Sequence, residues 1–359
     1  MFPSFHTDTI TDICGINLDS YVSGDIDGHI VLNKWTTKVD EHTHVNGHKG
    51  AITQLKYSSQ MHCLISASRD GDIKMWQLPV DRNRYEYNVR HSKTLSGHSL
   101  GVLSIAVDEL NQRLWSSGRD CTTNYWDLET NKIIYSSSND GNLARAMCIL
   151  PNQSLIQVSE DLKFYFWDAR SCSHCTYAIG HVQIPLTMDI DVADRNMLCV
   201  GFNGFNGHGC DLQLWDLRNL KDPLYTFSRH NQAISKCCFV PLVPKLHNCN
   251  ILSGSRDQNL RIWEWCSCGT PKYSYQHQLL SHYQESIALK KTINTFSYCN
   301  GIVYVGSTNG EVVVVRLPKK HNKRCKTIAF GVPSEFDENK NLTYYFTVKL
   351  QNSHLLKIF

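Results

Sequence analysis

Three kinds of segment in this 359-residue chain carry residues able to do chemistry. The first is Gly201-Phe202-Asn203-Gly204-Phe205-Asn206-Gly207-His208-Gly209, a backbone that could cradle a phosphate. Its glycines are not spaced as G-x-G-x-x-G, no helical pattern follows, and no Lys-Ser/Thr pair closes it, so it reads as a lengthened hairpin. The second is the pair Cys172-Ser173-His174-Cys175 and Cys266-Ser267-Cys268, which suggest zinc. The latter lacks C-x₂-C spacing, and both follow a Trp at what reads as a turn, so no metal is expected. The third is the basic run Lys319, Lys320, Lys323, Arg324 and Lys326. It could serve nuclear import or nucleic-acid binding, but lysines on an exposed strand edge also block unwanted pairing, and that reading is preferred. There is no G-x-S-x-G and no H-E-x-x-H, and the cysteines beside histidines lack an orienting carboxylate. No cofactor and no enzymatic activity are expected.

The elements that would position any site come from an internal repeat. SASRDGDIKMWQL (66–78), SSGRDCTTNYWDL (116–128), VSEDLKFYFWDA (158–169) and SGSRDQNLRIWEW (253–265) each place an Asp six residues before a Trp. The pairs are Asp70/Trp76, Asp120/Trp126, Asp161/Trp167 and Asp257/Trp263, and the residues between them alternate as in a strand that follows a turn. Upstream lie Gly47-His48, Gly97-His98, Gly180-His181 and Arg229-His230, each leading into an apolar-alternating run. Weaker copies align Asp27 with Asp70 and Asn33 with Trp76, leaving Trp35 two residues beyond. They also put Asn309 and Val315 at the Asp and Trp positions of a last copy, and Trp215 in a copy with the enlarged loop. The markers at 33, 76, 126, 167, 215, 263 and 315 imply seven units.

Gly-His, then Asp, then Trp at this spacing resembles the WD-repeat (WD40) family over nearly the whole chain. The resemblance implies an all-β fold, a single seven-bladed β-propeller over residues 1–330, in which radially stacked four-stranded sheets cover one another. Residues 324–330 would form the last outer strand, and 331–359 a C-terminal tail that is partly ordered at best. It also implies a buried His–Asp–Trp set within blades, here His48/Asp70/Trp76, His98/Asp120/Trp126, His230/Asp257/Trp263 and, without the His, Asp161/Trp167. Two interaction sites follow from the same resemblance. The residue before each turn Asp points out on the top face around the central channel, and here it is Arg69, Arg119, Glu160 or Arg256. The pattern Trp-Asp-x-Arg, at Trp167-Asp168-Ala169-Arg170 and Trp215-Asp216-Leu217-Arg218, docks a cullin-ligase adaptor in some members.

Composition bounds the partners. Thirty-six Lys and Arg against 33 Asp and Glu leave a net charge of +3, so no overall field draws the chain to nucleic acid or an anionic membrane. The first residues lack a basic n-region and an apolar run, and no apolar stretch is long enough to span a bilayer. Fifteen cysteines are too few for a disulfide scaffold and sit largely in strand-like runs, as small hydrophobes. The expectation is a monomeric, non-enzymatic scaffold binding other proteins, with an acidic or phosphorylated segment on its top face, no nucleic acid and no membrane insertion. A cytoplasmic or ciliary location and a ciliary role follow from likeness to one branch of the family. A cullin-ligase substrate receptor is the alternative.

Overall fold

The computed structural model describes residues 6–34, 42–78, 89–138, 140–171, 173–179, 182–191, 196–240, 248–266, 283–289, 292–317 and 326–330. They form seven four-stranded antiparallel sheets, each built from consecutive strands, with no helix among the described residues. Blade 1 holds Ile10–Gly15, Ser20–Asp25, His29–Lys34 and His42–Asn46; blade 2, Ile52–Ser58, Cys63–Ser68, Asp72–Gln77 and Arg90–Ser96. Blade 3 holds Val102–Asp108, Arg113–Gly118, Thr122–Asp127 and Lys132–Ser138; blade 4, Ala144–Ile149, Leu155–Ser159, Lys163–Asp168 and Ser173–Ala178. Blade 5 holds Pro185–Ile190, Met197–Phe202, Leu212–Asp216 and Tyr225–Phe227; blade 6, Ile234–Val240, Asn248–Ser255, Asn259–Cys266 and Tyr283–Ala288. Blade 7 holds Ile293–Cys299, Ile302–Ser307, Val312–Arg316 and Lys326–Phe330. The molecule is thus a seven-bladed β-propeller, and the seven aligned markers all fall on third strands. The tail 331–359 lies outside the described residues.

Each sheet needs cover on both faces, and burial shows where it comes from. Second strands such as Cys63–Ser68, Met197–Phe202 and Ile302–Ser307 are buried at every residue, whereas the outer strand Ser173–Ala178 is exposed throughout. The buried apolar side chains fall into seven clusters, one at each junction between neighbouring blades. Trp76, Trp126, Trp167, Trp215 and Trp263 each belong to the cluster shared with the preceding blade. The repeated Trp is therefore a wedge between blades.

The turn between second and third strands is the same in six blades. The residue after the turn Asp, or after its counterpart, has a positive φ: Gly28, Gly71, Cys121, Leu162, Gln258 and Gly310. Its N–H in blades 1, 2, 3, 4 and 6 donates to the carbonyl three residues back, as Gly71 does to Ser68. The turn Asp braces this geometry, Asp70 Oδ1 accepting the Asp72 N–H at 3.0 Å.

Because all the described strands run in chain order, none of them is shared across the junction of blades 7 and 1. That junction also lacks the Trp wedge, since Asn33 occupies the position. Tyr21 and Tyr304 pack there instead, ring centroids 5.0 Å apart, and the Tyr304 hydroxyl donates to the Asn17 carbonyl. The polar side of the closure centres on Asp12, buried on the inner strand of blade 1. Its carboxylate accepts the Leu55 N–H of blade 2 at 2.8 Å, the Thr295 hydroxyl of blade 7 at 2.6 Å and the Lys236 ammonium of blade 6 at 2.7 Å. Inner strands have an edge with no strand partner, and side chains of the preceding blade cap it, as Gln54 does for Ile105 N–H at 2.6 Å. Asp12 makes that cap with a charge.

Asp12→Ala is expected to cost about 3 kcal/mol, because it strands the Lys236 ammonium as well as an N–H. Gln54→Ala should cost about 1 kcal/mol. Urea unfolding midpoints compare the two, and equal losses would count against a charged closure.

Candidate functional site

Within blades 2, 3 and 6 the repeated His, Asp and Trp meet a strand serine. His48 Nδ1 lies 3.0 Å from Asp70, its Nε2 lies 2.7 Å from Ser66 Oγ, and Trp76 Nε1–H donates to the same Oγ at 2.8 Å. His98, Asp120, Ser116 and Trp126 repeat this, as do His230, Asp257, Ser253 and Trp263. The network assigns the proton to Nδ1, so every polar atom of the chain has a partner. Burial drives the His48, His98 and His230 imidazoles below their ordinary value of 6.5, against the pull of their aspartates. Burial alone would raise the Asp257 carboxyl, but the hydrogen bond from His230 and two backbone N–H groups outweigh it and hold it at about 2. Both ring nitrogens and the serine oxygen are already bonded within the blade, so the arrangement is structural.

Other blades depart from the set. In blade 1 the histidine is His6, which contacts Ser23 at 2.6 Å and Asp25 at 2.8 Å. Asp27 stands where alignment placed it, but the carboxylate partner is Asp25, two residues earlier, at the position of Ser68. The signal was Ser-Gly-Asp at 23–25 with a histidine upstream. In blade 4 Gln157 replaces the serine, so Trp167 Nε1 has no partner among the described residues, and Asp161 accepts from the Tyr165 hydroxyl at 2.8 Å. In blade 5 Val200 replaces it, and Trp215 Nε1 is also without a partner among the described residues.

The second sequence-derived set lies on the top turns. Arg69, Arg119, Glu160 and Arg256 occupy equivalent places, their N–H groups donating to the carbonyls of Ala51, Gly101, Leu143 and Ala233. Glu160 is tied to Arg145. Arg69, Arg119 and Arg256 are exposed, and no described residue gives their guanidinium groups a hydrogen bond or ion pair. Three like charges thus stand free on one face.

The Trp-Asp-x-Arg segments lie on the opposite face and are occupied locally. Arg218 holds Asp216 through Nε at 2.9 Å and Nη2 at 2.7 Å, and the Arg218 N–H donates to the same carboxylate. Asp168 accepts the Arg170 N–H at 2.9 Å and lies 3.5 Å from its Nε. Both carboxyls are held below the usual range, Asp216 chiefly by the Arg218 side chain and Asp168 by the Arg170 N–H. The Asp after each Trp is therefore a turn brace, a role the sequence reading missed.

Among the described residues no group of three His, Cys, Asp or Glu side chains is placed to hold a metal. His174 packs on the Trp167 ring at 4.4 Å and Cys175 is exposed. On the inner strands, burial pushes the Cys14 thiol up to about 11 and raises that of Cys148, which makes them poor nucleophiles. Trp35, Cys172, Gly180, His181, Ser267, Cys268, Lys319, Lys320, Lys323 and Arg324 lie outside the described residues, as do the side chains of Cys266 and Lys326.

The fold and its His–Asp–Ser–Trp chains define the class: a propeller with polar clasps inside its blades. The WD40 family model, described as WD domain, G-beta repeat, matches residues 40–77, 90–127 and 221–264, so WD40 repeats lie within this seven-bladed β-propeller. The WD40 propeller domain of Doa1 superposes with a TM-score of 0.66 at 18% identity, over 86% of this chain and 93% of that one. U3-55K gives 0.65 at 17%, over 84% and 89%. Among curated proteins the chain is similar to ribosome biogenesis protein YTM1 of Debaryomyces hansenii, 22% identical over 87% of this chain and 64% of that protein. It is also similar to a ribosome biogenesis protein WDR12 homolog of Arabidopsis thaliana, at 22% over 73% and 65%. A U3 snoRNP-associated protein-like relative of Arabidopsis thaliana is 23% identical over 60% and 44%. The chain spans less than two thirds of the length of these relatives.

These relatives overturn three expectations: the ciliary scaffold, the cullin-ligase receptor, and the cytoplasmic or ciliary location. They are named for ribosome biogenesis and a snoRNP. The physical reason for the adaptor error is visible in Arg170 and Arg218. Their pairing with the preceding Asp explains the pattern as turn chemistry.

Ser66→Ala is expected to cost about 1–3 kcal/mol by orphaning His48 Nε2 and Trp76 Nε1, and Trp76→Ala about 3–5 kcal/mol by opening a cavity. An unchanged urea midpoint in either would refute the clasp. Stability should also fall with acid. Below pH 6.5 the unfolded chain binds protons that the buried, depressed histidines refuse, and below 3.8 the depressed aspartates add to the loss. A Tm that starts to drop only below pH 5 would contradict neutral folded-state histidines.

Proposed function

We propose that this propeller, spanning residues 1–330, is a non-enzymatic protein-interaction scaffold in ribosome biogenesis, acting in the nucleus or nucleolus. The observation that carries the binding site is the trio Arg69, Arg119 and Arg256, exposed on one face without partners among the described residues. An unpaired guanidinium presents a planar donor fork that meets a carboxylate or phosphate with two hydrogen bonds, so the partner is an acidic or phosphorylated protein segment. The relatives support the process, being named for ribosome biogenesis and a U3 snoRNP. A finer likeness, to WD repeat-containing protein 31, stands on Asn33, the glycine-rich loop and Trp215–Arg218 alone.

Replacing Arg69, Arg119 and Arg256 together by Glu should leave the Tm within about 2 °C, since exposed charges contribute little to folding. The variant should lose co-sedimentation with pre-ribosomal particles in nuclear extract. Retained co-sedimentation of the triple variant, or none by the wild type, would refute the reading.

A further inference from the structure

The glycine-rich loop of blade 5 is a built feature with its own fold. Phe205 and His208 exchange both backbone hydrogen bonds at 3.0 Å around Asn206 and Gly207, whose φ angles are 50° and 80°. That is a two-residue hairpin with the Asn-Gly turn that suits it. Two anchors fix it. At its base the Asn203 N–H donates to the Ile184 carbonyl at 2.9 Å, and a Cβ on Gly204 would fall 2.2 Å from the Cys210 nitrogen. At its tip Phe205 bridges to Gln232 on the loop entering blade 6, and the Gly207 N–H donates to the Asn231 carbonyl at 3.0 Å.

This fixed hairpin presents Phe205 to solvent, 67% exposed, and Val182 of the loop entering blade 5 is 88% exposed. The polar neighbour is equally well placed. Gln232, which pairs with Phe205, accepts the Ser255 hydroxyl through its carbonyl at 2.9 Å, and the next residue is Arg256. An aromatic side chain on a rigid hairpin and an unpaired cation therefore share the top of blades 5 and 6. An aromatic anchor held in place loses little entropy on binding, and Arg beside it selects for negative charge.

We infer that this sector binds a short extended protein segment in which an aliphatic or aromatic residue adjoins an acidic one, the apolar residue on Phe205 and Val182 and the carboxylate on Arg256. The inference rests on the reading that the top face docks protein segments, and adds where and through what side chains. Single-stranded RNA could also stack on Phe205, but a net charge of +3 and a pI of 8.1 supply no strong overall field to hold a phosphate backbone.

The test uses the full chain and fluorescent peptides in a Gly-Ser background that carry Leu, Ile, Met or Phe beside Asp or Glu in either order. Controls carry Ser-Ser or Lys for the pair, and oligouridylate competes. At least one apolar-acidic peptide should bind saturably, Phe205→Ser and Arg256→Glu should each weaken it at least about tenfold with Tm unchanged, and Arg69→Glu/Arg119→Glu should weaken it less than about threefold. No saturable binding, equal binding by Phe205→Ser, or displacement by oligouridylate that depends on Phe205 would overturn the inference. Peptide binding lost in Arg69→Glu/Arg119→Glu but kept in Phe205→Ser removes this sector and leaves the general top-face reading standing. Sector binding kept while the triple variant still co-sediments with particles removes the general reading alone.

Discussion

A ring of sheets is stable only when it shuts, because until then the outer faces of the first and last blades have no cover. Among the described residues that closure has no shared strand and no Trp wedge. It depends on one buried carboxylate, Asp12, which reaches blades 2, 6 and 7 at once, and on the Tyr21–Tyr304 contact that fills the missing indole's place. A carboxylate caps an inner strand at another junction too, Asp189 accepting the Phe239 N–H at 2.8 Å, but Asp12 also takes the Lys236 ammonium. Lys236 must span blade 7 to meet it, and the pair draws blades 6 and 1 together with an interaction stronger than a single neutral hydrogen bond. Everything on the top face inherits its geometry from this closure, since the turns keep their spacing only in a complete ring.

The two faces differ in how their charges are used. On the face with the Trp-Asp-x-Arg turns, Asp127, Asp168 and Asp216 take neighbouring N–H groups and arginines, so the charges satisfy one another. On the top face the aspartates turn inward to histidines, and the arginines beside them are left facing solvent. The same repeat therefore makes one face self-satisfied and the other receptive. That asymmetry underlies the top-face docking site proposed above, and it accompanies the pairing of each turn Asp in blades 2, 3 and 6 with a buried His in place of the adjacent Arg.

Much of this was legible in the sequence, for a physical reason. A Trp every 41 to 50 residues through blades 2 to 6 lets each of these blades wedge against the one before it, and in blades 2, 3 and 6 the Asp six residues earlier braces the turn that aims it. Periodicity therefore gave seven blades, the third strands and the lengthened blade-5 hairpin. Networks that trade one polar group for another were not legible. The shift of the carboxylate from Asp27 to Asp25 in blade 1, and of the Asp161 partner to Tyr165 in blade 4, leave no spacing signature. Nor could spacing distinguish an arginine that serves a turn, as Arg218 does, from one free to bind, as Arg256 is. That distinction lies in which carboxylate is within reach, a tertiary matter, and it misdirected the adaptor reading.

The most direct test is to map which face is covered when the chain sits in the pre-ribosomal particle proposed for it. Hydroxyl-radical footprinting of the free chain against the chain in purified pre-ribosomal particles reads this residue by residue. The account predicts protection of the top turns around residues 69, 119, 205 and 256, with the turns at 168–171 and 216–219 as reactive as in the free chain. Protection confined to the latter turns, with the top face still open, would contradict it.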